Sequence, residues 1–261
     1  MIQAENIWLR VAKISKHFGP VIALEAVDTS IRLGEVLALV GDNGAGKSTL
    51  VKLLSGAYLP SAGEITVSGS PVTIESPVQA KHLGIATIFQ ELALVENLTV
   101  YENIFLGREM VRPFLGLPIL AKKKMRERVV QLIDELGSHI PSPAALVSEL
   151  SGGQRQAVAI ARAIDLETKL IIMDEPTAAL AVAETRKVLR LIEQLRENGK
   201  AVLLVSHNLN DVFEVADRIL VLRRGRKVVE CQRSETEPEE VVRWITGVKA
   251  GPQGPGLSNA P

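Results

Sequence analysis

Gly41-Asp42-Asn43-Gly44-Ala45-Gly46-Lys47-Ser48-Thr49 contains the residue types needed to hold a polyphosphate. The stretch fits the spacing G-x-x-x-x-G-K-[ST]. Its glycines let the backbone curl until N–H groups face phosphate oxygens. A helix opening at Lys47 adds the positive end of its dipole. Lys47 brings a full charge toward β- and γ-phosphates, and the Ser48 hydroxyl is a ligand for Mg²⁺. The alternative is a glycine turn with a chance lysine, against which the preceding apolar strand and following helix count. Alone, such a loop leaves kinases, GTPases and many ATPases open.

Leu150-Ser151-Gly152-Gly153-Gln154 stands before a second helix, about a hundred residues downstream of the first loop. A hydroxyl, small side chains and free N–H groups at a helix start form a second anion site. The competing reading is a serine N-cap with a flexible linker. Leu170-Ile171-Ile172-Met173-Asp174-Glu175 ends an apolar run on two carboxylates. Asp174 is placed to reach Mg²⁺, and Glu175 to orient or deprotonate an attacking water. Taken alone, Asp-Glu-Pro-Thr is more often a turn and helix cap, and His207 is equally a cap on the helix after it. Phe18 alone reads as core, and Gln90 alone is uninformative.

Elements to position these residues are legible in the periodicity. Val36–Val40, Ile85–Ile88, Leu170–Met173 and Ala201–Val205 are short apolar runs that read as buried parallel strands. Trp8–Ile14 and Ile22–Ile31 alternate as antiparallel strands. Glu64–Val67 and Val72–Ile74 predict short strands about a Ser-Gly turn. A helix is predicted from about Lys47 to Ala57. Between about 91 and 165 the texture turns helical: Tyr101–Gly107, Lys122–Gly137 with its stripe of Val129, Leu132, Ile133 and Leu136, and a helix from Gly153 to about Leu166. A charged helix is expected between Leu170–Met173 and Ala201–Val205. Ile219–Leu222 and Lys227–Glu230 read as a closing hairpin before a last helix near Pro238–Ile245. The apolar stretch Arg112–Leu120 is expected to pack within the helical lobe, with contact to a partner as the alternative.

In order and spacing these parts resemble the ATP-binding-cassette (ABC) ATPases over about residues 5–247. The resemblance implies an α/β fold: a P-loop NTPase (RecA-like) core with an N-terminal antiparallel β-subdomain and an inserted α-helical subdomain. The implied domain is 1–247, with core 1–90 and 166–247 and the helical subdomain at about 91–165. Residues 248–261, rich in Gly and Pro, are expected to be a disordered tail. By the same resemblance Phe18 stacks on adenine, and the loop from Gly41 to Thr49 holds ATP. Ser151, Gly152, Gly153 and Gln154 of a second copy close over that ATP. Ser48, Gln90 and Asp174 serve Mg²⁺. Glu175, His207, Lys47 and Gln90 carry hydrolysis.

The family usually continues with Ser-Ala-Leu-Asp where this chain has Ala178-Ala179-Leu180-Ala181, so the aspartate that helps the two sites communicate is absent. That segment resembles bacterial importers of the ribose, xylose and fructose class. So do Phe89–Leu94, Glu102–Arg108, Ser206-His207-Asn208 and Trp244–Gly247. The implied activity is ATP hydrolysis driving import of a small solute, a monosaccharide by this likeness. Alternatives are an ABC exporter, an importer of a non-sugar solute, a soluble non-transport ABC ATPase and a nucleotide-binding regulator. Implied partners are a second copy, transmembrane permease subunits and, indirectly, an extracytoplasmic solute-binding protein. The implied location is peripheral, on the cytoplasmic face of the cell membrane.

Composition narrows the setting. Thirty basic residues balance thirty acidic ones, which disfavours wholesale nucleic-acid binding. A single cysteine, Cys231, forms no internal disulfide or thiolate cluster and suits a reducing compartment. No apolar run approaches the roughly 20 residues of a membrane span, and the charges at Glu5 and Arg10 leave no signal-peptide core.

Overall fold

The structure, a computed structural model, describes residues 7–89, 92–114, 117–164, 168–178 and 180–249. Two long strands, β1 (Ile7–Phe18) and β2 (Val21–Arg32), pair antiparallel and lead into β3 (Val36–Val40). Helix α1 (Lys47–Leu54) follows the glycine loop. It stops short of the expected Ala57, because Gly56 turns left-handed at φ 72°. Ala57 N–H then bonds back to the Lys52 carbonyl at 2.9 Å.

Next come β4 (Ala62–Val67) and β5 (Ser70–Val72). Ser68 and Gly69 both have positive φ, the geometry of a two-residue primed turn, so the second strand begins at Ser70 rather than Val72. Helix α2 (Pro77–His82) precedes β6 (Ile85–Ile88). The chain then enters a mainly helical stretch of α3 (Val100–Phe105), β7 (Val111–Phe114), β8 (Leu117–Leu120), α4 (Lys122–Glu135) and α5 (Gly152–Ala163). It returns through β9 (Leu170–Asp174), α6 (Val182–Glu197), β10 (Ala201–Val205) and α7 (Leu209–Val215). The hairpin β11 (Arg218–Arg223) and β12 (Arg226–Gln232) and then α8 (Pro238–Thr246) close it. The Gly/Pro-rich segment 251–261 lies outside the described residues.

The central sheet runs β12-β11-β3-β10-β9-β6, parallel throughout except for edge strand β12. Its strands are apolar on both faces because each face meets a separate core. Alternation divides them: Val36, Ala38 and Val40 point to one cluster, Leu37 and Leu39 to the other. The second cluster joins α1 to the antiparallel sheet β2-β1-β4-β5. The first joins α3, α4, α5 and α6, so the helical lobe shares a core with one sheet face. A buried guanidinium fastens the two sheets: Arg218 donates to Glu35 (2.8 Å), to the Ser30 carbonyl (3.1 Å) and to Glu230.

One expectation is not met by the described residues. Strands β7 and β8 pair with each other as a two-stranded sheet of their own, Val111 with Leu120 and Pro113 with Pro118. Val111, Leu117 and Leu120 are exposed. Prolines in both strands remove ladder donors, which suits a free ribbon better than a buried connection.

Candidate nucleotide site

Parallel strands put all their C-terminal ends on one edge, and the loops leaving that edge can converge. Here β3 delivers the glycine loop, β9 delivers Asp174 and Glu175, and β10, lying between them, delivers His207.

The glycine loop requires its glycines. A Cβ on Gly41 (φ 152°) would fall 2.3 Å from the Leu222 carbonyl oxygen. One on Gly46 (φ 103°) would fall 2.6 Å from Leu24 Cδ2 and 2.8 Å from the Ala23 carbonyl oxygen. Ala45 N–H bonds to the Asp42 carbonyl at 3.0 Å, closing the turn. Gly46 caps α1 with no side-chain hydrogen bond, so a ligand can take the first-turn amides. The Lys47 ammonium donates to the carbonyls of Gly41 (2.6 Å) and Asp42 (3.0 Å), holding it over the loop. Asp42, Asn43, Gly44 and Ser48 are exposed, and Thr49 is half-buried.

Asp174, the last residue of β9, is half-buried. Burial chiefly, and then the Glu175 carboxylate, push its pKa up, while Lys47 and Lys52 pull it down. Two adjacent carboxylates, on the sheet edge that also carries the Ser48 hydroxyl, fit a divalent cation. Among the described residues no three His, Cys, Asp or Glu side chains cluster as a metal site. The third expected metal residue, Gln90, lies outside the described residues.

Glu175 departs from strand geometry at φ 52°, a left-handed conformation costing a non-glycine residue of order 1 kcal/mol or more. This kink bonds its N–H to the Val205 carbonyl (2.9 Å) and sends its carboxylate to the end of β10. There Glu175 Oε2 meets His207 Nδ1 at 2.7 Å and the His207 N–H at 3.4 Å. The His207 side chain is 71% exposed and that of Glu175 16%, so the imidazole faces outward while the carboxylate stays partly sheltered.

A supporting contact is not legible in the sequence. The Thr177 hydroxyl donates to Asp211 at 2.6 Å, pinning the loop after Glu175 to α7, the helix after His207. Asp211 is 5% exposed. Thr177→Val leaves that buried carboxylate without its donor, a loss of about 1–3 kcal/mol. Its melting temperature should fall accordingly. Thr177→Ser, which keeps the hydroxyl, should restore it.

Phe18 lies 42% exposed at the end of β1, not in the core. Its ring meets Tyr58 edge-on at 5.3 Å, and the Lys52 ammonium of α1 stands 5.3 Å from the Tyr58 ring. Tyr58, which no motif singles out, thus ties the exposed aromatic to the helix of the glycine loop.

The second turn singled out by the sequence is built differently. Ser151 caps α5 in a reciprocal box: Ser151 Oγ accepts from Gln154 N–H (3.4 Å), and Gln154 Oε1 accepts from Ser151 N–H (3.0 Å). Gln154 Nε2 also donates to the His139 carbonyl (3.3 Å). The helix cap and the glycine turn expected to meet an anion are therefore one object. Among the described residues no hydrogen bond or ion pair joins Ser151–Gln154 to the Lys47 loop. Ala181, standing where the family usually has an aspartate, caps α6 with no side-chain bond.

Behind the site, a cavity of about 440 Å³ opens between sheet and helical lobe. Ala80, Lys81, Phe89, Leu92, Leu106 and Arg162 are among its walls. The Glu102–Arg108 stretch flanks it. Within that stretch Asn103, fully buried, clamps the preceding loop by donating to the carbonyls of Val95, Leu98 and Thr99.

Residues 24–178 match the family model described as ABC transporter. The chain is 47% identical over 243 residues to the xylose/arabinose import ATP-binding protein XylG of Sulfolobus acidocaldarius, spanning 93% of this chain and 95% of that protein. It is 43% identical over 254 residues to the fructose import ATP-binding protein FrcA of Rhizobium meliloti, spanning 96% and 98%. Among solved structures, a nucleotide-free ATP-binding cassette from an ABC transporter superposes with a TM-score of 0.77 at 26% identity, covering 92% of this chain and 95% of that one. The dimeric post-hydrolysis state of the cassette MJ0796, bound to ADP and Pi, superposes at 0.71 and 26% identity, covering 86% and 98%.

Proposed function

The chain belongs to the ABC transporter family, and we propose that it is the ATP-hydrolysing subunit that powers uptake of a monosaccharide. One observation carries the catalytic part: Glu175 and His207 pair at 2.7 Å on the sheet edge from which the Lys47 loop also leaves. The sugar rests on the likeness to the xylose/arabinose and fructose import proteins.

Each ATP lies between two copies of the chain. The loop from Gly41 to Thr49 of one copy holds the phosphates, and Ser151, Gly152, Gly153 and Gln154 of the other close over the γ-phosphate. The likeness to a dimeric cassette supports this arrangement. Phe18 stacks on the adenine. Glu175 aligns the attacking water and takes up its proton, and His207 steadies both Glu175 and the γ-phosphate. Ser48, Asp174 and Gln90 would hold Mg²⁺, which would supply charge neutralisation on the phosphates. Closure favours one arrangement of the helical lobe and thereby of a permease seated at the cavity behind it. Among the described residues no helix is long and apolar enough to cross a membrane. The chain works peripherally, on the cytoplasmic face, through permease subunits fed by an extracytoplasmic solute-binding protein. The segments 1–90 and 166–247 act as the catalytic core and 91–165 as the moving lobe.

Uptake of labelled xylose, arabinose, ribose and fructose by cells with and without the gene tests the sugar assignment. Loss of one uptake, restored by the wild-type chain and not by Glu175→Gln, is expected. Unchanged uptake of all four sugars would refute it.

A further inference from the structure

A carboxylate already sits at the turn proposed to receive the γ-phosphate. Glu184 lies in the first turn of α6 and reaches across to the start of α5. A Cβ on Gly152 would stand 3.2 Å from Glu184 Oε2, and one on Gly153 3.3 Å from Glu184 Cβ. The side chain therefore lies directly on the bare backbone of the Ser151–Gly153 turn. Leu180 backs it, its Cδ2 2.8 Å from the same Gly152 position. The Ser151 hydroxyl first, and then the Gly153 and Ala181 N–H groups, hold the Glu184 carboxyl below the usual range, so it is ionised at neutral pH. Ala181 offers α6 no side-chain cap, which leaves this one carboxylate to serve the positive ends of two helices.

We propose that Glu184 is an internal competitor for the anion site at Ser151–Gly153, displaced when the γ-phosphate of an ATP held by a second copy arrives. The inference rests on the two-copy arrangement proposed above. Two anions cannot share one hydroxyl and one N–H group, and their like charges repel. Closure therefore requires the conformers in which Glu184 has swung aside, and apparent ATP affinity for closure falls by their fraction. ADP has no γ-phosphate to deliver and gains nothing from the displacement. Glu184 thus sets the ATP level at which two copies close without touching the reacting atoms.

The test titrates ATP against dimer formation, followed by light scattering, in the Glu175→Gln background that blocks turnover. Adding Glu184→Gln should lower the ATP midpoint about threefold to tenfold, the modest range set by solvent screening of a partly exposed charge. Glu184→Ala should shift it the same way. Glu197→Gln, at the far end of the same helix, should leave the midpoint where it was. Binding of fluorescent ADP to the monomer should be equal in all variants, since the Lys47 loop is untouched. An unchanged or raised midpoint in both Glu184 variants overturns the inference while leaving the sandwich intact. Failure of Glu175→Gln alone to dimerise with ATP overturns the sandwich and this inference with it.

Discussion

Replacing Glu175 by glutamine is expected to cut ATP turnover about 10²–10⁴-fold, the range for loss of a positioned general base. The geometry limits the damage to chemistry. The substituted side chain leaves the bond to Val205 in place, because that bond uses the backbone N–H. Its amide oxygen can still accept from His207. What disappears is a negative acceptor able to take a proton from water. ATP binding at the Lys47 loop should persist, and closed dimers should accumulate because hydrolysis no longer releases them. Phosphate release and light scattering on the same sample separate the two effects. Turnover at the wild-type rate would remove Glu175 from the chemistry.

The second large effect is expected from Lys47→Ala. Its ammonium bonds to two loop carbonyls, Gly41 and Asp42, poised where phosphate oxygens would take over its hydrogens. Charge-assisted bonds to phosphate are about twice as strong as neutral ones. Losing them should weaken ATP binding about 10- to 100-fold, from roughly 1.5–3 kcal/mol of lost interaction. Turnover should fall by a further ~10²-fold or more as the transition state loses its fixed cation. The alanine keeps α1 intact, so the melting temperature should move by only a few degrees. Fluorescent-nucleotide titration and phosphate release measure the two losses. Binding within about twofold of wild type would show that the backbone cradle works without the lysine.

Local chemistry carried most of this site into the sequence. The glycine loop, the strand ending at Asp174 and the cap at Ser151 each announce themselves over a short span, because local backbone demands fix which residue types are allowed. The pairings between them do not. Thr177 and Asp211 are 34 positions apart and meet only because β9 and β10 are neighbours in the sheet. Glu184 reads as one more charge on a solvated helix until α5 is laid against α6. Helix α2 escapes the periodicity for another reason: it buries only Ala80 and so has no apolar period. Its readable signal is the cap, Ser76 followed by Pro77, with Gln79 donating its N–H to Ser76 Oγ at 3.2 Å. The β7–β8 pair is hidden by composition, since apolar residues usually mean burial, yet Val111, Leu117 and Leu120 are exposed.

The parallel strands of the central sheet have a mechanical consequence. Packed on both faces, they give no slack beneath the loops they support. A push from a phosphate on one loop cannot sink inward and must travel sideways along the rim of the sheet. Phe89 and Leu92 stand in the wall of the cavity, where a displaced side chain has open space beside it. The fold therefore acts less like a spring than like an anvil, stiff beneath the loops that the sheet supports.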